Sequence, residues 1–357
     1  MKNIFKNKKN TRLIGLFLTV GFVLFLIGCV FIDSVSILQI QEDGTQAPRT
    51  KAGSVATFIL TGHINCQEDH GDVQFIFSFL APKSWNVRQN ATVTYTTTLA
   101  TNPEEELKMS VVPESSLPKN GGGRTWGEAL MQEYGVGPNV LSDMEWVTFA
   151  TNDKWAIYNG DKPNYTIYLR TNVGYQNLKA YLGFFVNHTD DGMSTSADHK
   201  KVKFSDTPFE VYGGKGLMID YSTDHFNKVQ PLASLQDDYV TFSFNGGVYQ
   251  NDLISCSEIY FEGIAYDENG EIISEVNEKT DKTLLHRESM FSQVYSLTMW
   301  PASFFNVPQG KEIKKIDYVF TNKDRSIIIT QSDDDFAINH IPINSEKEPF
   351  VFELLCD

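Results

Sequence analysis

Cysteine is scarce in this sequence, with four in 357 residues, at positions 29, 66, 256 and 356. That excludes a disulfide-dense scaffold and any zinc module built on clustered cysteine pairs. Basic charge is also sparse, with 30 Lys and Arg against 45 Asp and Glu. Removing residues 1–28 takes five of the basic residues (Lys2, Lys6, Lys8, Lys9 and Arg12) and no acid, so the remainder carries a net charge of −20. Nucleic acid and anionic head groups both need a basic surface, so neither is expected as a partner. A neutral or cationic ligand suits such a chain better. Catalytic signatures are missing too: there is no Gly-x-Ser-x-Gly, no His-Glu-x-x-His and no phosphate-binding glycine loop. No catalytic residue, resident metal or cofactor is expected, although the abundant carboxylates leave a glycosidase pair open as a third reading.

Long apolar runs are absent apart from one. It begins at Leu13 and meets no charge until Asp33, behind a wholly basic opening, which is the order of a secretion signal. About 20 apolar residues would also span a bilayer, so length alone leaves an uncleaved anchor open. At the end of the run, Leu26-Ile27-Gly28-Cys29 resembles the lipobox of bacterial lipoproteins. The resemblance implies that Cys29 is acylated, that the chain is cut before it, and that its new amino group is acylated as well. Several acyl chains hold a membrane far more firmly than one. Residues 1–28 are then a lipoprotein signal peptide.

Residues 29–53 are polar, with Gly, Pro and mixed charge, and read as a lipidated tether. From Ser54 onward short β-branched and aromatic runs alternate with turn clusters, the pattern of an all-β sandwich. The class expected is mainly β: an Ig-like β-sandwich over 54–211, then a second, carbohydrate-module-like β-sandwich over 212–357. The first carries one helical insertion, because Thr125-Trp126-Gly127-Glu128 has the spacing of a capping box and Gly135 can stop the helix. Asp267-Glu268-Asn269-Gly270 and Asn322-Lys323-Asp324-Arg325 read as hairpin turns.

His63-x-x-Cys66-x-x-x-His70 matches no tight zinc spacing and reads as a polar loop, and Asp333-Asp334-Asp335 lacks the ligand order of an EF-hand. Outside the cytoplasm three further cysteines allow one disulfide at most. Cys256 with Cys356 is the pair of choice, against three buried thiols.

The aromatics remain. In SLTMWPASFFNVPQGKEIKKIDYVFTNKDRS, residues 296–326, an aromatic-rich strand ends at Trp300-Pro301, then come Phe304-Phe305, the turn Pro308-Gln309-Gly310 and a hairpin. This resembles the C-terminal β-sandwich modules of Bacteroidota surface lipoproteins encoded with glycan-import systems, relatives of the starch-binding outer-membrane lipoproteins. Upstream, LAPKSWN, TWGEALMQEYGVGPNV, MEWVTF and LGFFVNHTDDG resemble an uncharacterised lipoprotein family of the same group, associated with polysaccharide utilisation. The resemblance implies a lipid-anchored outer-membrane protein facing the cell surface. It would bind an oligosaccharide or polysaccharide without cleaving it, beside an outer-membrane transporter complex.

A pyranose lays its C–H face on an exposed aromatic ring while polar side chains bond its hydroxyls. The candidate platforms are Trp85, Trp126, Trp155 and Trp300, each with a competing core reading, since large aromatics bury most of their area. Trp126, after a Gly-rich loop, and Trp155, between polar segments, are expected to be exposed. Trp300, in an apolar segment before a proline, is expected in the core. Asn322 and Lys323 are candidate hydroxyl partners. The competing reading is a fimbrial or adhesive subunit that is cut near Arg49 and exchanges strands with the next copy.

Overall fold

The structure is a computed structural model that describes residues 30–343 and 346–355. The signal peptide, Cys29 and Cys356 lie outside the described residues, and so does the pairing proposed for Cys256. The chain is mainly β, 42% strand with little helix. It divides into two compact units between Ser222 and Thr223. Among the described residues no helix is long and apolar enough to cross a membrane.

Nine strands of the first unit join one antiparallel sheet. They are β1 (Val30–Ser36), β2 (Val55–Ile64), β3 (Phe75–Pro82), β4 (Thr92–Thr97), β5 (Leu107–Val111), β6 (Met144–Thr151), β7 (Asn164–Asn172), β8 (Gly183–His188) and β9 (Lys201–Phe204). Their order is β1-β2-β7-β4-β5-β6-β3-β8-β9. β2 shows how the sequence fixes this: Ala56, Phe58, Leu60, Gly62 and Ile64 alternate inward with period 2, which sets its face and register. The strands of an Ig-like sandwich are divided between two facing sheets. Here the large sheet instead curls until its ends approach, and the Val30 amide donates to Asp198 O (3.3 Å), just ahead of β9.

A four-stranded sheet, in the order Lys215–Asp220, Gln176–Ala180, Phe209–Tyr212 and Arg49–Lys51, packs on it. The join is aromatic: Phe58 of β2 meets Phe209 edge-on at 5.1 Å and stacks with Trp85 at 6.2 Å. The run LKAYLGFFV, which reads as one strand, serves both sheets. Asn139 clamps the break, accepting from the Tyr181 amide (2.8 Å) and donating to its carbonyl (2.9 Å).

Two expectations are corrected. Residues 30–53 are no tether, because β1 pairs antiparallel with β2 from Val30↔Ile64 to Ser36↔Ile59. A bulge between Ile32 and Ser34 breaks the alternation that would have marked the strand. The first unit also runs past residue 211. Lys215–Asp220 pairs parallel with Gln176–Ala180, after Gly213 turns the chain at φ 69°.

Helix α1 (Trp126–Tyr134) carries the expected capping box, with Glu128 N donating to Thr125 Oγ1 and Thr125 N donating back to Glu128 Oε2. Gly127 sits so close to Trp146 O that an added Cβ would lie 2.7 Å from it, so the helix start is pressed onto β6.

The second unit holds two sheets. One orders β10 (Asn227–Gln230), β11 (Val240–Asn245), β15 (Val294–Met299) and β14 (His286–Arg287). The other orders β13 (Ile272–Val276), β12 (Tyr260–Tyr266), β16 (Lys315–Thr321) and β17 (Ile328–Ile329), with β18 (Phe350–Glu353) also on β16. Phe242 of the first sheet meets Phe261 and Tyr318 of the second at 5.1 and 4.8 Å, and the buried Tyr318 hydroxyl donates to Asn227 Oδ1 (2.6 Å). Asp333-Asp334-Asp335 opens helix α2 (Gln331–Asn339), where Thr330 and Asp333 form a capping box. Asp334 is buried and accepts from the Phe226 amide at 2.6 Å.

Candidate functional site

The tryptophans are distributed differently from the expectation. Trp85 is fully buried, stacked within the aromatic join of the first unit. Trp126, at 5% exposure, is also core, because the first residue of α1 turns inward where the helix is pressed onto β6. Trp155 is half-buried and donates its Nε1–H to the Tyr95 hydroxyl (3.0 Å). Trp300 instead is 44% exposed.

Its position explains why. Val240 of β11 pairs with Met299 of β15, so Tyr239 and Trp300, the next residues outward, leave the ladder side by side. Tyr239 is 71% exposed. Pro301 then begins a short helical turn that swings the chain off the strand, with Ala302 N donating to Gln236 O (3.0 Å). The Trp300 indole N–H donates to Asp237 Oδ1 at 3.2 Å. The turn holding Asp237 is itself fixed, since Leu235 N donates to Asp238 Oδ2 (3.0 Å) and Ile313 N to Gln236 Oε1 (3.0 Å). Two exposed rings and two carboxylates thus share one rigid edge of the second unit. Such an edge can stack a sugar face and accept hydroxyl hydrogen bonds.

Asn322 and Lys323 do not join this edge. Ile313 bonds the turn beside Asp237, whereas Asn322 follows the far end of β16; seven strand residues between them span about 20 Å. Asn322 closes its own hairpin, accepting from Ile327 N (3.0 Å) and donating to Ser326 Oγ (2.9 Å), and Lys323 pairs with Glu258 (3.3 Å). Asp267 of the other hairpin accepts from Asn269 N and Glu271 N and pairs with Lys311, so its carboxylate already has three partners.

The first unit has a polar cluster and a cavity that share one residue, His188. At the end of β8, His188 Nε2 pairs with Asp191 Oδ2 (2.7 Å), whose other oxygen takes His199 Nδ1 (3.1 Å). His70, on the short strand His70–Val73, meets the His188 ring edge-on at 4.8 Å, and Asp190 bonds Lys119 (2.9 Å). Burial pushes the Asp191 carboxyl up, but the His188 hydrogen bond and the nearby His188, His199 and His70 outweigh it, so its pKa lies below the usual value. The residues of His63-x-x-Cys66-x-x-x-His70 go separate ways: His63 pairs with Asp33, the Cys66 thiol donates to Glu68 O, and His70 joins the cluster. Among the described residues no three His, Cys, Asp or Glu side chains converge as a metal site.

Inside the curled sheet lies a small apolar cavity of about 20 Å³, room for little more than one water-sized molecule. β1 through β8 each contribute to its lining. Tyr95 lies on its wall, its phenol pushed up to about 12 by burial, so at neutral pH it is a neutral hydroxyl between Trp155 and Asp153. The sequence reading names Trp300 but not Asp237, Asp238 or Tyr239 beside it, and it misses the His188 cluster. The signals were present in Asp237-Asp238-Tyr239 and in the close spacing of His188, Asp190 and Asp191, but each site is completed by strand pairing.

A family model described as a domain of unknown function, DUF4961, matches residues 30–225. The chain belongs to that family. Its match begins at Val30, the first residue of β1. A second domain of unknown function, DUF8578, matches residues 227–329, beginning at the first residue of β10. No functionally curated protein matches the sequence. Among solved structures, the C-terminal domain of the Streptococcus pyogenes antigen I/II-family protein AspA is 10% identical, covering 92% of this chain and 98% of its own, at a TM-score of 0.27. The major pilin subunit BcpA of Bacillus cereus is 10% identical, covering 90% of this chain and 74% of its own, at 0.22. Scores so low describe no shared architecture.

Proposed function

We propose that the protein is a non-catalytic glycan-binding accessory lipoprotein, anchored through Cys29 to the outer membrane at the cell surface and working beside an outer-membrane transporter. The observation that carries this reading is the exposed Trp300, fixed at its polar edge by Asp237 and flanked by Tyr239. In this reading the two sheets of the second unit are a carbohydrate-module-like sandwich that presents the platform at the end of β11 and β15. A neutral oligosaccharide suits a site with carboxylates and no cation among the residues named. The test is glycan-array binding by the residue 30–357 protein and its Trp300→Ala variant. Array signal that Trp300→Ala leaves unchanged, or no signal for either protein, counts against the platform.

The fimbrial reading gains one observation. Arg49 follows β1, so a cut after it would separate from the chain a strand that lies at the edge of the large sheet. Arg49 is nevertheless held in its own strand, paired parallel opposite Glu210 with its guanidinium 5.2 Å from the Tyr212 ring centre. High-mass ladders that require Arg49 would favour subunit exchange over the accessory role.

A further inference from the structure

The outer face of the sheet β10-β11-β15-β14 continues from the Trp300 platform. Val240, Phe242 and Phe244 of β11 and Leu297 and Met299 of β15 are core residues, so the alternating Thr241, Ser243, Ser296 and Thr298 point to the opposite face. The register sets Thr241 opposite Thr298 and Ser243 opposite Ser296, and Tyr239 and Trp300 extend the same two columns by one row. Four small side chains therefore pave the two central strands, beginning where the aromatic rings end.

Longer side chains flank this floor. Gln230 and Lys228 of β10 stand opposite Thr241 and Ser243, and His286 of β14 stands opposite Ser296. Directly opposed residues share a face, so the strip is a shallow trough. It measures roughly 14 Å across from β10 to β14 and about the same from Trp300 to Ser296. Its floor is polar: Thr241 Oγ1 and Thr298 Oγ1 share a hydrogen bond at 2.8 Å, Ser243 Oγ and Ser296 Oγ share one at 2.9 Å, and Ser296 Oγ donates to Glu288 Oε1 at 3.1 Å. Ser296 gives its one proton to Glu288, so Ser243 donates to Ser296, while the Thr pair keeps an O–H for an outside acceptor. All four oxygens retain a lone pair with which to accept. Lys228 and Glu288 place one charge of each sign along the flanks.

We infer that the ligand of this face is an extended, neutral, β-1,4-linked glycan chain lying lengthwise over β11 and β15, with one sugar stacked on Trp300 and Tyr239 and the next sugars over the Thr241–Thr298 and Ser243–Ser296 rows. The inference rests on the reading of Trp300 as a glycan platform and goes beyond it by naming the shape of the chain. Equatorial β-1,4 bonds hold pyranose rings in a straight ribbon with hydroxyls along its edges, and a straight trough with a hydroxyl floor accepts such a ribbon. The bonds of an α-1,4 chain curl it away from a straight floor. An anionic chain is disfavoured by Asp237 and Asp238 at the platform, and the opposite charges along the flanks give a charged chain no net attraction.

The experiment titrates the residue 30–357 protein by calorimetry with β-1,4-linked gluco-, manno- and xylo-oligosaccharides of two, four and six sugars, and with the α-1,4-linked malto-oligosaccharides of the same lengths. The expected result is that affinity in at least one β-1,4 series rises at least tenfold from the disaccharide to the tetrasaccharide, with no such rise in the malto series. Thr298→Lys puts a long side chain on the exposed floor, so in that variant the tetrasaccharide should bind no more than about twofold better than the disaccharide. Trp300→Ala should weaken every length. Binding that depends on Trp300 but not on chain length, a tenfold rise that survives in folded Thr298→Lys, or a rise in the malto series alone would overturn the track and leave the platform standing. Failure of every β-1,4 probe to bind would also overturn it, and the glycan array then decides separately whether the accessory reading falls as well. If Thr298→Lys does not fold, Thr241→Lys on the facing strand carries the same expectation, and the parent's length series decides the matter if neither variant folds.

Discussion

The indole N–H of Trp300 donates to Asp237 Oδ1 at 3.2 Å, which locks the ring's polar edge to a turn that is itself hydrogen-bonded in place. The exposed face of Trp300 is therefore preorganised, and a ligand stacking on it need not order the side chain first. Trp300→Ala should weaken glycan binding by about 1–3 kcal/mol, the scale of stacking on an aromatic side chain. Tyr239→Ala should weaken it in the same direction. Calorimetric titration of a glycan identified on the array, with melting temperature measured alongside, checks both. Loss of binding at an unchanged melting temperature is the expected outcome.

Salt separates stacking from charge. The chain beyond residue 28 carries −20, and the proposed ligand is neutral, so no counterions need be released on binding. Affinity measured at 50 and 500 mM NaCl should agree within about twofold. A steep fall with salt would point to a cationic ligand held by the carboxylates at Asp237 and Asp238.

Trp126→Ala tests the corrected core assignment. The ring is 5% exposed at the start of α1, and truncating a buried Trp costs about 3–5 kcal/mol of folding. Denaturant unfolding of the variant should show a loss of that size, with glycan affinity unaffected wherever the protein remains folded.

How far the sequence could be read follows from what each feature depends on. The alternation along β2 and the Thr125/Glu128 capping box are local patterns, and the structure has both a strand and a helix there. β1 was mistaken for part of a tether because a bulge between Ile32 and Ser34 breaks its period just where an apolar signal segment runs into it. α2 is not foreseen although Thr330-x-x-Asp333 spells a capping box, because three consecutive acids look like a solvated turn or strand edge. The exposure of Trp300 was not legible at all. It depends on Val240 pairing with Met299 and on where Pro301 sends the chain, and neither follows from the composition of the flanking segment. The His188 cluster fails for the same reason, since His70, His188 and His199 come together only through strand pairing and the turn after β8.

The Asp191 carboxyl gives a pH dependence with a definite sign. Its pKa in the folded chain is lowered from the ordinary 3.8, so it contributes stability that is fully present above that value and lost as pH falls through the folded one. As pH falls below the ordinary 3.8 the melting temperature of the parent should therefore fall more steeply than that of Asp191→Asn, which has no proton to take up there. Parallel slopes for the two proteins would remove Asp191 from the acid transition.

The last prediction concerns β1, on which the accessory and fimbrial readings part. The strand is held by more than its ladder: Phe31 stacks on His63 with ring centres 4.5 Å apart, Asp33 pairs with His63, Ser34 Oγ bonds Thr61 Oγ1 (2.7 Å), and the Tyr165 hydroxyl donates to Phe31 O. Val30 also lines the cavity, so losing the strand would open both a sheet edge and an apolar lumen. A chain starting at residue 54 should accordingly be less stable and more prone to associate than one starting at residue 30, as light scattering and thermal unfolding can show. Cutting the longer protein after Arg49 is the sharper experiment, because it breaks one peptide bond and leaves every β1 contact available. The accessory reading expects the freed segment to stay bound, with segment and remainder eluting together at the mass of one chain. If the segment leaves and the remainder builds high-mass ladders, the vacated edge of β2 is being filled by another copy, and the protein is a polymerising subunit.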